Sequence, residues 1–530
     1  MRPWMVPMDT ALEKTGAALF SLLAERFPVS CASDEFYFFP QATLTPRCWQ
    51  TWDDYEPQTI ADTVGRLRAF ERAFEKMLHC NKPHDPAYPH ERMDIALLSK
   101  MAQTLAEQLD EVRAWRCQPT LYLSLACIGL AEAFQSQDPR AVPQRCQGLG
   151  AFLDQATCNL ERVPHLFRDL GLQMAADTRA YLVSIGSRVP GLKRALAALE
   201  RFTAHLREVP GRRDFRLAPD LFKRVVRNHL GCGMDLEDIR EVLELEILAA
   251  RRKMAKVLDD AFGGCSQEEA LARIPLPQVG DSGLLALYRG EVERLAHHCR
   301  QQGWVSDEML RRCPVQVAAV PSYLAATRAA SSYSIPPRHP PDGGVFYIFN
   351  ARQPQEARQP YQREYRILCA HETYPGHHLL DINRWRLQRP ARRLIERPLF
   401  YEGWACFAEE LMAQSGYLAS AADRLLMARR RLWRALRGRV DLGLQTGKMS
   451  PENAAALLAT GSVPIQRALA AVRKYPLNPG YQLCYTVGLR NFERLFKRFG
   501  GPDTAGFVGT VMSAGEIGFR DLETILKSLP

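Results

Sequence analysis

His371-Glu372-Thr373-Tyr374-Pro375-Gly376-His377-His378 places three histidines within eight residues of a chain that holds 12 in all. Two neutral imidazoles and one carboxylate are what a hydrolytic zinc ion takes from a protein, leaving a fourth position for water. A glutamate beside the first histidine, not itself a ligand, can then take that water's proton. The pattern predicts His371 as the first ligand and Glu372 as the general base.

The spacing is unusual. The common arrangement sets two histidines four residues apart on one helical face, but position 375 is Pro. In an unbroken helix, His377 would lie about 240° around the axis from His371. His378 has the right angle but sits roughly 10 Å further along. Pro375 cannot donate to the His371 carbonyl, and its ring clashes there. Gly376 then permits backbone closed to other residues, so a break at Pro-Gly can loop out about two residues and return His377 to the metal. His377 is the preferred second ligand and His378 the alternative.

A third ligand is expected on the following helix. Leu399-Phe400-Tyr401-Glu402-Gly403-Trp404-Ala405-Cys406-Phe407-Ala408-Glu409-Glu410 offers Glu402 and Glu409, seven positions apart and hence on one face. Glu402 is the expected ligand, and Glu409 suits an outer role, orienting a ligand imidazole.

Outward from this centre, helical periodicity dominates. Val64, Leu67, Phe70, Phe74 and Leu78 recur every three or four residues, as do Ile95, Leu98, Ala102, Leu105, Leu109 and Val112. Glu241 to Phe262 behaves alike. Breakers such as Asn81-Lys82-Pro83-His84-Asp85-Pro86 separate the helices. Ser331 to Gly344 is rich in Ser, Pro and Gly, and Val345-Phe346-Tyr347-Ile348-Phe349-Asn350 reads as a short strand. The expected fold is mainly α, with a small β element beside the site. Its division is into an N-terminal helical region, 1–210, and a catalytic region, 211–530, at a poorly marked boundary.

Composition bounds the rest. With 46% hydrophobic and 24% charged residues, the 530-residue chain has the profile of a globular protein. No apolar run approaches the roughly 18 residues that span a bilayer. The N-terminus, Met1 to Asp9, lacks the apolar core of a signal peptide. Fourteen cysteines sit singly, without a CxxC pair, and read as reduced core filler. A cytoplasmic protein with no membrane partner is the expectation. The net charge of +10 concentrates in Arg384 to Arg397 and Arg424 to Arg439, which read as amphipathic helices with solvated arginine faces rather than a nucleic-acid footprint. The His297-His298 pair reads as exposed helix, and Cys232, between two glycines, as a buried thiol.

At this point the chain resembles a known group. His-Glu-x-x-Pro-Gly-His-His, followed by Tyr-Glu-Gly-Trp-Ala and a later Glu, is similar to the bacterial family called domain of unknown function 885, from about Ser33 to the C-terminus. Supporting marks are Gly343 to Asn350, Leu432-Trp433-Arg434 leading to Val440-Asp441-Leu442-Gly443-Leu444, and Pro479-Gly480-Tyr481-Gln482 with Tyr485 and Gly488. The resemblance implies a large helical zincin-like metallopeptidase fold of the gluzincin kind, with Zn2+ held by two His and one Glu. It implies hydrolysis of short peptides, an oxyanion-binding tyrosine at Tyr481 or Tyr485, and a substrate-side helix carrying both. The chain departs from the family pattern at Gln445, Ala471 and Val508, where His, Glu and His are usual; these departures bear on specificity. Two other readings are carried: a zinc amidase or esterase on a non-peptide metabolite, and a non-catalytic helical binding protein with a relic site.

Overall fold

The computed structural model describes residues 10–42, 45–136, 138–186, 189–279, 283–320, 331–335, 342–349, 355–501 and 503–528, with the further exception of 81–87. Over them the chain is mainly helical. Thr10 opens α1 (Ala11–Arg26) with a reciprocal cap to Glu13. The two runs of apolar periodicity become α2 (Pro57–Cys80) and α3 (Tyr88–Glu107), which pack together, α3 ending in a wider turn, Gln108–Val112. The breaker expected at 81–86 lies outside the described residues. α4 (Pro119–Gln135), α5 (Ala141–Asn159), α6 (His165–Ile185) and α7 (Leu192–Glu208) complete this helical body.

α8 (Leu236–Phe262) and α9 (Gly283–Gln301) lead into a three-stranded sheet: β1 (Val315–Ala319), β2 (Ser332–Ser334) and β3 (Gly344–Ile348). The strand order is β1-β3-β2, with β1 parallel and β2 antiparallel to β3, and Tyr333 opposite Phe346. The strand expected over 345–350 is therefore β3, begun one residue earlier; Asn350 and residues 336–341 of the preceding loop are outside the described residues.

Five helices then build the candidate site: α10 (Gln355–Glu372), α11 (His377–Arg384), α12 (Pro398–Gln414), α13 (Ala421–Gln445) and α14 (Leu483–Phe499). Ser420 starts α13 firmly, its hydroxyl accepting the Asp423 N–H at 3.0 Å while Asp423 Oδ2 accepts the Ser420 N–H at 3.2 Å. α13 lies against α8, and α12 against α14. The α12–α14 crossing is set by two glycines: a Cβ on Gly403 would stand 2.6 Å from the Gly488 Cα. Only hydrogen at both positions lets the backbones meet, and this brings Glu402 beside the segment that enters α14. One apolar cluster among the described residues draws members from Leu19 to Leu526, on both sides of residue 210, and three smaller ones stand beside it.

The arginine stretches correct the sequence reading. From Arg384 to Arg397 no arginine is exposed, and in α13 only Arg424 is. Arg431 reaches Glu246 at 2.6 Å, Glu410 at 3.0 Å and Glu493 at 2.7 Å, while Arg429 and Arg430 share Glu364. Arg392 meets Asp94, and Arg384 lies between Asp381 and Glu516. The expected solvated faces are interhelical ion-pair networks. His298 is likewise half-buried, its Nε2 2.8 Å from the Ser415 hydroxyl, while His297 is exposed as expected. Cys232 is buried, and burial pushes its thiol up to about 11, which leaves it unreactive near neutral pH.

Candidate metal centre

Helix α10 ends at Glu372 because Pro375 cannot continue it. The Thr373 N–H and hydroxyl both bond the Cys369 carbonyl, at 2.8 and 2.7 Å, closing the last turn. The chain then folds back on itself: a Cβ on Gly376 would overlap the His371 carbonyl oxygen and lie 2.5 Å from that of Ala370. The Trp404 indole donates to the Pro375 carbonyl at 2.9 Å and holds the loop, whose Tyr374–Pro375 peptide is cis. α11 restarts at His377.

This fold-back brings His377 to His371. Their rings stand 4.9 Å apart, nearly perpendicular, and Glu402 Oε2 lies 3.7 Å from Nε2 of each. One ligand atom from each of His371, His377 and Glu402 falls within 4.8 Å of the others. All three are buried, at 5%, 5% and 7% exposure, so a group held between them is shielded from bulk water.

His378 does not join them. Its Nε2 donates to the Cys313 carbonyl at 3.0 Å and its Nδ1 accepts from the Tyr333 hydroxyl at 2.8 Å. Both nitrogens are occupied, and burial pushes its protonation down to about 3, so the ring stays neutral. The alternative ligand of the sequence reading is instead a strut between α11 and the sheet.

Behind His371 stands Glu409, whose Oε1 is 3.0 Å from Nδ1. Arg434 Nη2 is also within 3.2 Å of that nitrogen. A guanidinium only donates, so Nδ1 cannot serve both; with a carboxylate as acceptor it carries the proton, and Nε2 keeps its lone pair. Arg434 is bound to Glu409 through both nitrogens, at 2.8 and 2.6 Å. Burial pushes the Glu409 carboxyl up, but Arg434 and Arg430 outweigh it and keep it ionised far below the usual carboxylate range.

Tyr481 fixes the third member, donating to Glu402 Oε1 at 2.8 Å so that Oε2 faces the imidazoles. Burial raises the Glu402 carboxyl, but His371 and His377 more than offset it and hold it well below its ordinary value. Tyr481 is not on a helix as expected but in the turn before α14, after Gly480 at φ +83°. Asp441 pins that turn, accepting the Gly480 N–H at 3.2 Å and the Gln482 N–H at 3.1 Å. Tyr485 follows in the first turn of α14, its ring 6.0 Å from that of Tyr481 and 4.6 Å beneath the Arg437 guanidinium. Glu372 lies outside the trio; its Oε2 accepts the Tyr333 N–H of β2 at 3.0 Å.

Sequence reasoning quoted Arg434, Asp441 and Tyr401 within motifs without giving them a role, and missed Tyr333; the Tyr401 ring stacks on His377 at 4.1 Å. A further signal for Arg434 and Asp441 was their spacing with Arg437, at intervals of three and four that set the three on one helical face. Of the departures from the family pattern, Val508 is core and Ala471 half-buried. Both polar ends of the buried Gln445 amide have no partner among the described residues.

The residues fit a zinc ion. Glu402 Oε2 is a buried carboxylate oxygen with no hydrogen-bond donor among the described residues, because 3.7 Å is too long for one. Two nitrogens and an oxygen around it form the donor set that zinc takes. If so, Glu409→Gln lowers zinc affinity about 10- to 100-fold by loosening His371; competition against a chromophoric chelator measures this.

Asp441 gives a pH test. Burial outweighs its two backbone bonds and lifts its carboxyl from the usual 3.8 to about 7. A raised folded value means that the stability it contributes is complete below 3.8 and is lost as pH rises through about 7. Between pH 4.5 and 7.5 the protein should lose on the order of 3 kcal/mol more stability than Asp441→Asn. Urea unfolding at the two pH values reads the difference.

A family model for a bacterial protein of unknown function, DUF885, matches residues 45–526. Among curated proteins none matches this chain. Two solved structures are similar. One is a candidate lipoprotein of unknown function from Shewanella oneidensis, 16% identical, covering 98% of this chain and 100% of that one with a TM-score of 0.75. The other, a candidate lipoprotein from Colwellia psychrerythraea, is 15% identical and covers 98% and 99% at the same TM-score. At such identity the likeness is one of fold alone.

Proposed function

From the premise that this chain belongs to the DUF885 family of bacterial proteins, we propose a zinc-dependent hydrolase of short peptides with a zincin-like site of the gluzincin kind. One observation carries the reading: the unpartnered Glu402 Oε2 equidistant, at 3.7 Å, from Nε2 of His371 and His377. Zinc there supplies a Lewis acid for a carbonyl and lowers the pKa of a water towards about 7.

The protein's own groups do the remainder. Glu372 is steadied through Oε2 by the Tyr333 amide, takes the proton of the attacking water and passes it to the leaving nitrogen. Tyr481 keeps Glu402 turned to the imidazoles, and the developing oxyanion falls to Tyr485, beside Arg437. The burial of the trio favours thin, extended chains, which is the support for short peptides over folded proteins.

Metal content together with cleavage of a library of peptides and small amides tests the proposal. One zinc per chain and peptide turnover that a chelator abolishes is the expected result. Turnover of small amides alone would make the enzyme an amidase, and no bound metal would leave the site a relic. For location we propose the cytoplasm, supported by the described cysteines, which form no disulfide with one another. The two fold neighbours are described as candidate lipoproteins, so recovery of this protein in the membrane fraction of a cell lysate would overturn that placement. No described helix is long and apolar enough to cross a membrane.

A further inference from the structure

Beside the metal centre lies a cavity of about 490 Å³, within the range of pockets that enclose small ligands. The run Phe36-Tyr37-Phe38-Phe39 forms one wall, Trp115 stands in another, and Pro479 and Gln482, which flank Tyr481, close a side. None of the trio lines it. The connection runs through two rings: Tyr37 packs 5.1 Å from Tyr481, whose hydroxyl is 2.8 Å from Glu402.

The lining chemistry selects the occupant. Its charged residues, Glu35, Asp177 and Lys474, are exposed, so no charge stands in the interior to meet an ionic group. The interior amides are engaged, Gln118 on the Leu477 carbonyl at 3.2 Å, Gln108 on His229 at 2.8 Å, and Gln482 through its oxygen with Arg437. What remains is apolar surface, aromatic along Phe36 to Phe39 and at Trp115 and aliphatic elsewhere, and the Tyr37 hydroxyl, buried with no hydrogen-bond partner among the described residues. Aromatic walls favour an aromatic guest, which gains edge-to-face contacts beyond its area burial.

We infer that this cavity is the subsite for a large, uncharged aromatic side chain of the substrate next to the cleaved bond; the inference rests on the peptidase reading above. A peptide whose backbone lies across Tyr481 places an adjoining side chain past the Tyr37 ring and into the cavity.

The test uses the full chain with one equivalent of zinc and the Glu372→Gln substitution, so that ligands are bound and not consumed. Calorimetry compares Phe-Phe with Ala-Ala. Burial of a Phe-sized side chain predicts about 10- to 100-fold tighter binding of Phe-Phe. Two substitutions in the lining, on the neighbouring helices α4 and α6, Ser124→Phe and Gln173→Trp, fill the space. Each should erase that preference and leave Ala-Ala binding as it was. Equal binding of the two dipeptides would overturn the inference, as would a preference that survives either filling variant with an unchanged melting temperature. Should one variant not fold, the other decides. Turnover is read separately on the wild-type protein: no cleavage of any peptide sinks the hydrolase reading, while a Phe-Phe preference lost on filling still identifies the cavity as an aromatic side-chain site.

Discussion

Glu372→Gln should bind zinc as tightly as the wild type and turn over peptides about 10²- to 10⁴-fold more slowly, the range that a positioned general base supplies. The substitution keeps the size and, with the amide oxygen turned to where Oε2 stood, the acceptor for the Tyr333 amide, so the end of α10 has no reason to move. It removes only the ability to accept a proton. Because Glu372 stands outside the trio, the metal's donor set is untouched. The effect should therefore fall on kcat, with metal content and melting temperature unchanged. Zinc retained with undiminished turnover would remove Glu372 from the mechanism. Zinc lost would instead make it a ligand, contrary to where the structure places it.

That Glu372 closes the helix carrying His371 was legible in the sequence, because Pro375 cannot continue it. So was the shared face of Glu402 and Glu409, since residues seven apart on a helix lie together. The side on which His378 would fall was not legible. Its fate depends on the Cys313 carbonyl and the Tyr333 hydroxyl, 65 and 45 positions away in sequence. The arginines misled for the same reason. Arg alternating with Leu and Ala gives a charged stripe whether the stripe meets water or carboxylates. Only tertiary packing reveals that Arg431 faces Glu246, 185 positions away, or that Arg434 buttresses the carboxylate behind His371. Tyr481 was singled out from its motif, but its bond to Glu402 needed the Gly403–Gly488 crossing, which no periodicity records.

The largest loss is expected from Gly376→Ala. The added methyl would overlap the carbonyl oxygen of His371 and stand 2.5 Å from that of Ala370. Both are backbone atoms at the end of a helix, with no rotamer by which to yield, so the junction itself must open. Opening it carries His377 away from Glu402 and breaks the seat that the Trp404 indole makes on the Pro375 carbonyl. Strain of this kind costs on the order of 1–3 kcal/mol when it can be absorbed locally, and more when a buried turn must rebuild. Zinc affinity should fall by more than about 100-fold, beyond the range set by loss of an outer partner such as Glu409. Gly65→Ala is the control, in the exposed face of α2 with nothing within 4 Å of the new methyl. It should stabilise the protein by about 0.5–1 kcal/mol, since Gly in a helix interior is the poorer residue. Zinc per chain and melting temperature, measured on both variants, separate the two effects. If Gly376→Ala kept its zinc, the fold-back at Pro375-Gly376 would not be what brings the two histidines together, and His377 would owe its place to the Tyr401 ring stacked against it.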